Sequence, residues 1–207
     1  MGKSIIQAWE KRFREEPEHQ EFPEMLEERL DKFLKELPEG AKVLDLGCGN
    51  GDKSKYIHDK GFRVLGVDSS ESAIQYARQN YSEDGLEFRN EDVLNLDIKQ
   101  DFNGIVSIAF HHCLPKKSRK RVNEKIESLL REGGCFFILD LSSKDKTLKK
   151  NNDSGKRSFE KSGMYFHLFT REELIREFDF LDPLILQEHV RDLKEKKNSV
   201  FTGIFRK

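Results

Sequence analysis

A chain of 207 residues with a net charge of −1 at pH 7 is long enough for one α/β domain with a full core and too short for two comfortable ones. Charged and hydrophobic residues each make up 36%, and Phe, Ile, Leu and Val recur in ordered patterns, which argues for a folded chain with a very soluble surface and against disorder. No apolar run approaches the roughly 18 residues of a membrane span, no signal-peptide core stands at the N-terminus, and the odd set Cys48, Cys113 and Cys135 points to reduced thiols and a cytoplasmic setting.

Residues 1–22 place Trp9, Phe13 and Phe22 among charges and predict a helix laid over the domain. Leu26, Leu30, Phe33, Leu34 and Leu37 repeat at helical spacing and predict an amphipathic helix over 24–37, stopped by Pro38. Strands and helices then alternate: strand 42–46, helix 52–60, strand 63–67, helix 70–80, strand 86–89, a connection through 92–101, strand 104–109, helix 116–131 and strand 135–141. Such alternation implies a parallel sheet covered on both faces. Residues 142–165 are polar, lack a helical or strand period, and read as an inserted lid or a segment without fixed structure. Thr170 as N-cap with Glu173 three residues on forms a capping box for a helix over 171–178. Strands near 183–191 and 199–206, joined by the charged stretch Lys194 to Asn198, form an antiparallel hairpin. The expected organisation is one domain over 1–207: an N-terminal helical cover (1–40), a ligand-binding core (41–141), the insertion (142–165), and a C-terminal helix and hairpin (166–207).

The chemistry concentrates in residues 43–51, VLDLGCGNG. Gly47, Gly49 and Gly51 alternate just past the first strand, where missing Cβ atoms let the backbone turn tightly and approach a ligand. A dinucleotide fingerprint would need glycine at position 52, which is Asp52. Asp45 stands two residues before the loop, Asp68 ends the next apolar run, and Asp92 follows the third. A carboxylate placed like Asp68 can accept both hydroxyls of a ribose.

With GVDSS (66–70), NEDV (90–93), IVSIAFHH (105–112) and LLREGGCFFILDL (129–141), this loop resembles the class I S-adenosylmethionine-dependent methyltransferases in order and spacing. The resemblance implies a seven-stranded, mostly parallel Rossmann-like sheet with helices on both faces and an antiparallel last strand. It implies S-adenosyl-L-methionine as cofactor. The backbone of Gly47, Cys48 and Gly49 would run along its methionine part, with Asp45 near the amino group. Asp68, with Ser69 beside it, would hold the ribose hydroxyls. Asp92 and the Val93 amide would meet the adenine, and Ala109 would line the space by the sulfonium. Arg12, in the unit Trp9-x-x-Arg12-Phe13, would pair with the cofactor carboxylate; the competing reading is a helix merely pinned by its aromatics. Asp45 as a strand-end turn former and Ser69 or Ser70 as a helix N-cap are the bland alternatives at those positions.

Methyl transfer needs alignment more than covalent help, so no catalytic residue has to be visible. His111 and His112 are the candidates for acting on the acceptor, against a role in shaping the pocket. Cys113 lacks the Pro-Cys context of a nucleophilic thiol, and no metal is implied. Tyr165, His167 and Phe169 form an alternating strip that either walls the acceptor pocket or is an ordinary buried strand. Lys116, Lys117, Arg119, Lys120 and Arg121, at a helix start where the macrodipole disfavours cations, and the cluster Lys144 to Arg157 suggest a basic rim. A small-molecule acceptor is the favoured reading. The alternatives are tRNA methylation of the wobble-uridine type, with RNA on the Lys116–Arg121 rim, and a non-catalytic cofactor-binding partner subunit. Composition leaves the oligomeric state open.

Overall fold

Short strands of branched and aromatic residues separated by amphipathic helices build a single seven-stranded sheet with helices on both faces. The structure is a computed structural model and describes residues 2–17, 25–99, 101–145, 156–193 and 196–207. In chain order the elements are α1 (Lys3–Glu15), α2 (Met25–Leu34), β1 (Lys42–Leu46), α3 (Asp52–Asp59), β2 (Arg63–Asp68), α4 (Glu71–Asn80) and β3 (Leu86–Asn90). There follow β4 (Phe102–Ile108), α5 (Lys116–Leu129), β5 (Leu130–Leu141), β6 (Ser158–Lys161), β7 (Met164–His167), α6 (Arg171–Glu177), β8 (Asp182–Leu193) and β9 (Lys196–Arg206). The sheet order is β3-β2-β1-β4-β5-β9-β8. Strands β1 to β5 pair in parallel, and β9 runs antiparallel between β5 and β8. No helix among the described residues is long and apolar enough to cross a membrane.

Strand alternation divides the core into two layers. Leu44, Leu46, Ile105, Phe136 and Ile138 pack with Val122 and Ile126 of α5 and Leu174 of α6. Val43, Val106, Cys135 and Phe137 pack on the other side with Leu30 and Phe33 of α2, Ile57 of α3 and Ile74 of α4. Because the five parallel strands run one way, the loops leaving β1, β2, β3, β4 and β5 gather at one edge of the sheet, and that edge carries the candidate site.

Two regions depart from the sequence reading. The described part of 142–165 is not without strands: β6 and β7 pair antiparallel, Ser158 opposite His167 and Lys161 opposite Met164. A strand of four residues is too short to stand out as a period in polar sequence. Residues 146–155, with much of the Lys144–Arg157 cluster, lie outside the described residues. The hairpin is tied to the helices by charge. Arg119, 1% exposed, reaches Glu177 with Nε and Nη2 at 2.7–2.9 Å, donates Nη1 to the Leu114 carbonyl at 3.0 Å, and lies over the Phe169 ring at 5.0 Å. Glu173 receives Arg157 and His167, and His167 also meets Ser158 Oγ at 2.7 Å. The capping box of α6 is thus half made. Thr170 Oγ1 accepts the Glu173 N–H at 3.2 Å, while the Glu173 carboxylate is engaged by the hairpin.

Burial opposes the charge on Glu173, but His167 and Arg157 outweigh it and hold the carboxyl down at about 2, against 4.5 unperturbed. A depressed acid stabilises the fold above its unfolded pKa and loses that contribution as pH falls through the folded value. Glu173→Gln should therefore cost on the order of 3 kcal/mol at most at pH 7. In urea melts the gap to the parent should narrow below pH 4.5 and vanish near pH 2; equal stability at pH 7 would show that the network contributes nothing.

Candidate functional site

The glycine loop is shaped first by its neighbours. Past β1, the N–H groups of Gly47 and Cys48 both donate to the Val67 carbonyl of β2, at 2.8 and 3.1 Å. Gly47, Gly49 and Gly51 take φ of 72, 55 and 86°, the left-handed region open to glycine. A Cβ on Gly47 would stand 2.4 Å from the Phe110 ring, and one on Gly51 2.8 Å from the Phe88 ring. At these two positions the absent side chain makes room for an aromatic ring. The Gly49 N–H, in the middle of the loop, donates to Asp68 Oδ2 at 3.0 Å.

Three of the expected acids meet this edge. Asp45, 2% exposed, sits under the loop and accepts Ser54 Oγ at 2.7 Å. Burial lifts its carboxyl to about 7 against the Ser54 hydrogen bond, and the charge of Asp68 adds to the rise. Asp68, half-buried, accepts the N–H of Gly49 and, at 2.8 Å, that of Ser70. Burial raises its carboxyl in spite of backbone N–H groups from Ser70, Gly49 and Ser69. Ser70, not Ser69, caps α4, its Oγ accepting the Ala73 N–H at 3.2 Å. Asp92 caps a 3-10 turn, Val93–Asn95, through the Leu94 N–H at 3.0 Å; the Val93 side chain is in the core. Cys48 also points inward, where burial pushes its thiol well up, so only its backbone faces the loop.

At the end of β4, Ala109 takes φ 55°. A left-handed alanine costs on the order of 1–3 kcal/mol and marks a position that its surroundings enforce. It leads into a 3-10 turn, His111–Cys113, that sends the two histidines apart. His111 is fully buried: Nδ1 lies 2.6 Å from Ser107 Oγ and Nε2 3.1 Å from Asn123 Oδ1. The Asn123 amide nitrogen donates to the Glu177 carbonyl at 2.8 Å. That fixes its oxygen as the acceptor, so the His111 proton is on Nε2 and Nδ1 accepts from Ser107. Both ring nitrogens are engaged in the core, which corrects the expectation that His111 faces an acceptor. His112 differs. Its backbone N–H lies 3.2 Å from both oxygens of Asp140 at the end of β5, and its Nδ1 bonds Asp140 Oδ1. Burial works against a charge on the ring, but neighbouring Cys113 and Asp140 raise it to about 10. The ring stacks on Phe166 of β7 at 5.9 Å and 12°.

A cover closes over this edge. Glu10 of α1 accepts Ser70 Oγ at 2.7 Å, Ser72 Oγ at 2.5 Å and the Ser72 N–H at 3.2 Å. Asn50 in the glycine loop donates to the Pro17 carbonyl at 3.2 Å. Gly163, at the turn between β6 and β7, lies against Ala8, whose Cβ would be 3.5 Å from an added one. The Trp9 indole N–H is buried without a partner among the described residues, and the Arg12 guanidinium lies 5.7 Å over the Trp9 ring.

Some sequence assignments shift accordingly. His167 and Phe169 belong to the ion network and the core, and strand alternation sets Phe166, not Tyr165 or His167, against His112. Of the basic rim, Arg119 is internal, while Lys116, Lys117, Lys120 and Arg121 are exposed, Arg121 also donating to the Leu94 carbonyl at 3.3 Å. Glu10 and Asp140 were not singled out. An acid closing an apolar run, FFILD, is the signal that would have found Asp140, whereas nothing local marks Glu10.

Residues 43–134 match the family model described as a methyltransferase domain. A carboxy-S-adenosyl-L-methionine synthase of Campylobacter hominis is 32% identical over 136 residues, 64% of this chain and 57% of its own length. A tRNA (carboxymethyluridine(34)-5-O)-methyltransferase of Arabidopsis thaliana is 33% identical over 113 residues, 53% of this chain and 26% of its own. The chain thus spans well under two thirds of either relative. The 1,6-didemethyltoxoflavin-N1-methyltransferase of Burkholderia thailandensis superposes with a TM-score of 0.80 at 21% identity, over 99% of this chain and 87% of that one. That likeness shows the fold.

The raised carboxyl of Asp45 carries a stability consequence. With 3.8 in the unfolded chain and about 7 in the folded one, the folded state holds this proton more tightly. Ionisation therefore costs nothing below pH 4, costs increasingly more between pH 4 and 7, and is constant above. Asp45→Asn should melt higher than the parent at pH 8, by on the order of 4 kcal/mol at most, and the gap should close as pH approaches 4. A gap that does not vary with pH would show that Asp45 is not a strained carboxylate.

Proposed function

We propose that this chain, whose residues 43–134 match the family model described as a methyltransferase domain, is an S-adenosyl-L-methionine-dependent methyltransferase acting on a small-molecule acceptor. The observation that carries this reading is the bond from the Gly49 N–H to Asp68 at the ends of adjacent parallel strands, beneath a cover holding an indole N–H without a partner. The residues fit the cofactor. Asp68 is oriented by two backbone donors and half-buried, suited to accept ribose hydroxyls. Asp92 stands at the next strand end for the adenine amino group. Asp45 lies below the methionine part, and Arg12 and Trp9 offer donors for a carboxylate. When bound, the cofactor supplies a methyl group on a sulfonium whose leaving group is a neutral thioether. The chain's own work is alignment and exclusion of water: the loop 47–51 and Ala109 set one side of the site, α1 and the β6–β7 hairpin close the other.

The toxoflavin-type neighbour, named for a small heterocyclic acceptor, supports the small-molecule reading. A second reading, tRNA as acceptor, is favoured by the tRNA-methylating relatives and by exposed Lys116, Lys117 and Lys120. A non-catalytic subunit would bind the cofactor without transferring label to any pool.

Calorimetry should give binding of S-adenosyl-L-methionine or its demethylated product near the micromolar range and none of NAD; tight NAD binding alone would overturn the assignment. Asp68→Ala should weaken binding by about 1.5–3 kcal/mol, the range for a hydrogen bond to a charged group. To separate the acceptors, bulk tRNA retardation is compared at two salt concentrations for the parent and for a Lys116→Gln, Lys117→Gln, Lys120→Gln triple variant. A small-molecule enzyme keeps its turnover in the variant; submicromolar, salt-sensitive tRNA binding lost in the variant would promote RNA.

A further inference from the structure

The loops of the candidate site occupy one edge of the sheet, and the opposite edge, where β1 to β4 begin, carries a cleft of its own. Its charged lining is Lys42 of β1, Arg63 of β2, and Glu87 and Arg89 of β3; Leu65 and Phe102 belong to its apolar lining. The register sets Lys42 beside Arg63 and Leu65 beside Glu87. By strand alternation the four charged residues share the face on which Leu44 and Leu65 join the α5 side of the core. The cavity is about 100 Å³, room for several waters or for one phosphate group. From Lys42 to Leu46 β1 runs about 13 Å, so the cleft is separate from the glycine loop.

The charge in this cleft is unbalanced. Arg89 reaches Glu87 at 3.4 Å, with both side chains open to water. The side chains of Lys42 and Arg63 have no partner among the described residues. Of the acids near them in sequence, Glu83 is taken up by Lys55 and His58 at 3.2 and 3.3 Å, and Asp84 and Asp101 do not line the cleft. Adjacent strands lie about 4.8 Å apart, so Lys42 and Arg63 leave neighbouring backbones on one face and repel each other. At the end of β9 the chain answers Arg206 with Glu36 at 2.6 Å; Lys42 and Arg63 receive no such acid.

We propose that this cleft binds a phosphate group, held by Lys42 and Arg63 with Arg89 at its side. Three cations against one acid leave a surplus of two positive charges, which matches the charge of about −1.5 to −2 on a phosphate monoester at neutral pH. The two arginines present planar forks that suit phosphate oxygens in pairs, and Lys42 adds a point charge. The phosphate belongs either to a phosphorylated small molecule or to the backbone of an RNA; the recognising chemistry is the same. The site stands apart from the cofactor edge and does not depend on the methyltransferase reading.

The probe is pyrophosphate, titrated by calorimetry at low ionic strength, where surface charge is least screened, with and without S-adenosylhomocysteine. One saturable site is expected in both cases. Backbone 15N–1H shifts should gather at residues 42, 63–65 and 85–89. The double change Lys42→Gln with Arg63→Gln should weaken binding roughly tenfold or more, the loss of at least one charge-assisted hydrogen bond. Both positions are exposed, so that variant should keep the parent's melting temperature and its affinity for S-adenosylhomocysteine. The Lys116→Gln, Lys117→Gln, Lys120→Gln variant should bind pyrophosphate as the parent does. No saturable binding, shifts gathered at the glycine loop, or full affinity in the double variant overturns the proposal. Retardation of bulk tRNA then tells the source: tRNA binding that falls in the Lys42, Arg63 variant identifies an RNA phosphate, and pyrophosphate binding lost while tRNA behaves as with the parent identifies a phosphorylated small molecule.

Discussion

Three carboxylates at one edge of the sheet, Asp45 and Asp140 buried and Asp68 half-buried, set the terms for the loops built around them. Asp45, Asp68 and Asp140 lie at or near the ends of β1, β2 and β5, and an unrelieved buried charge there would cost several kcal/mol. Each finds a hydrogen-bond partner in the chain that follows a strand. Ser54, in the first half of α3, serves Asp45. The glycine loop and the start of α4 turn their N–H groups onto Asp68. The 3-10 turn after β4 swings His112 onto Asp140. The loops take shapes that satisfy these acids, with Gly47, Gly49, Gly51 and Ala109 in the left-handed region.

The cover is held by polar attachments and not by a deep apolar seam. Glu10 gathers three donors at the N-terminus of α4. Burial opposes its charge, yet the Ser72 and Ser70 hydroxyls hold its carboxyl below the ordinary range. The hairpin hangs from Glu173 and its partners Arg157 and His167, and Arg119 links that set to α5. Such attachments can open without disturbing the two core layers, which separates the stability of the cover from that of the sheet.

Much of this was legible beforehand. The strands β1 to β4 announce themselves because buried parallel strands read as short apolar runs, and the alternating glycines with Asp45, Asp68 and Asp92 follow those runs directly. What was hidden depends on contacts distant in sequence. His111 and His112 are neighbours in the chain, and only the turn decides that one enters the core while the other meets an acid 28 residues away. Arg119 looked like a misplaced surface cation at a helix start; Glu177, 58 residues on, makes it an internal one. On β7 the ordinary-strand alternative fits His167 and Phe169, and Phe166, between Tyr165 and His167, is the ring beside His112. At Gly47 and Gly51 the absent side chain also makes room for the Phe110 and Phe88 rings, a contact that no local pattern announces.

The placement of β9 between β5 and β8 reaches beyond the folded state. Ribosomes make β8 before the strand that will connect it to the sheet. While β9 is still being assembled, β8 has nothing to pair with and β5 presents a bare hydrogen-bonding edge. Phe201, Ile204 and Phe205, which both core layers need, arrive only after β8. The nascent chain therefore exposes that edge until residues 196–206 have been made, and an unpaired edge is a surface on which incompletely folded chains can associate.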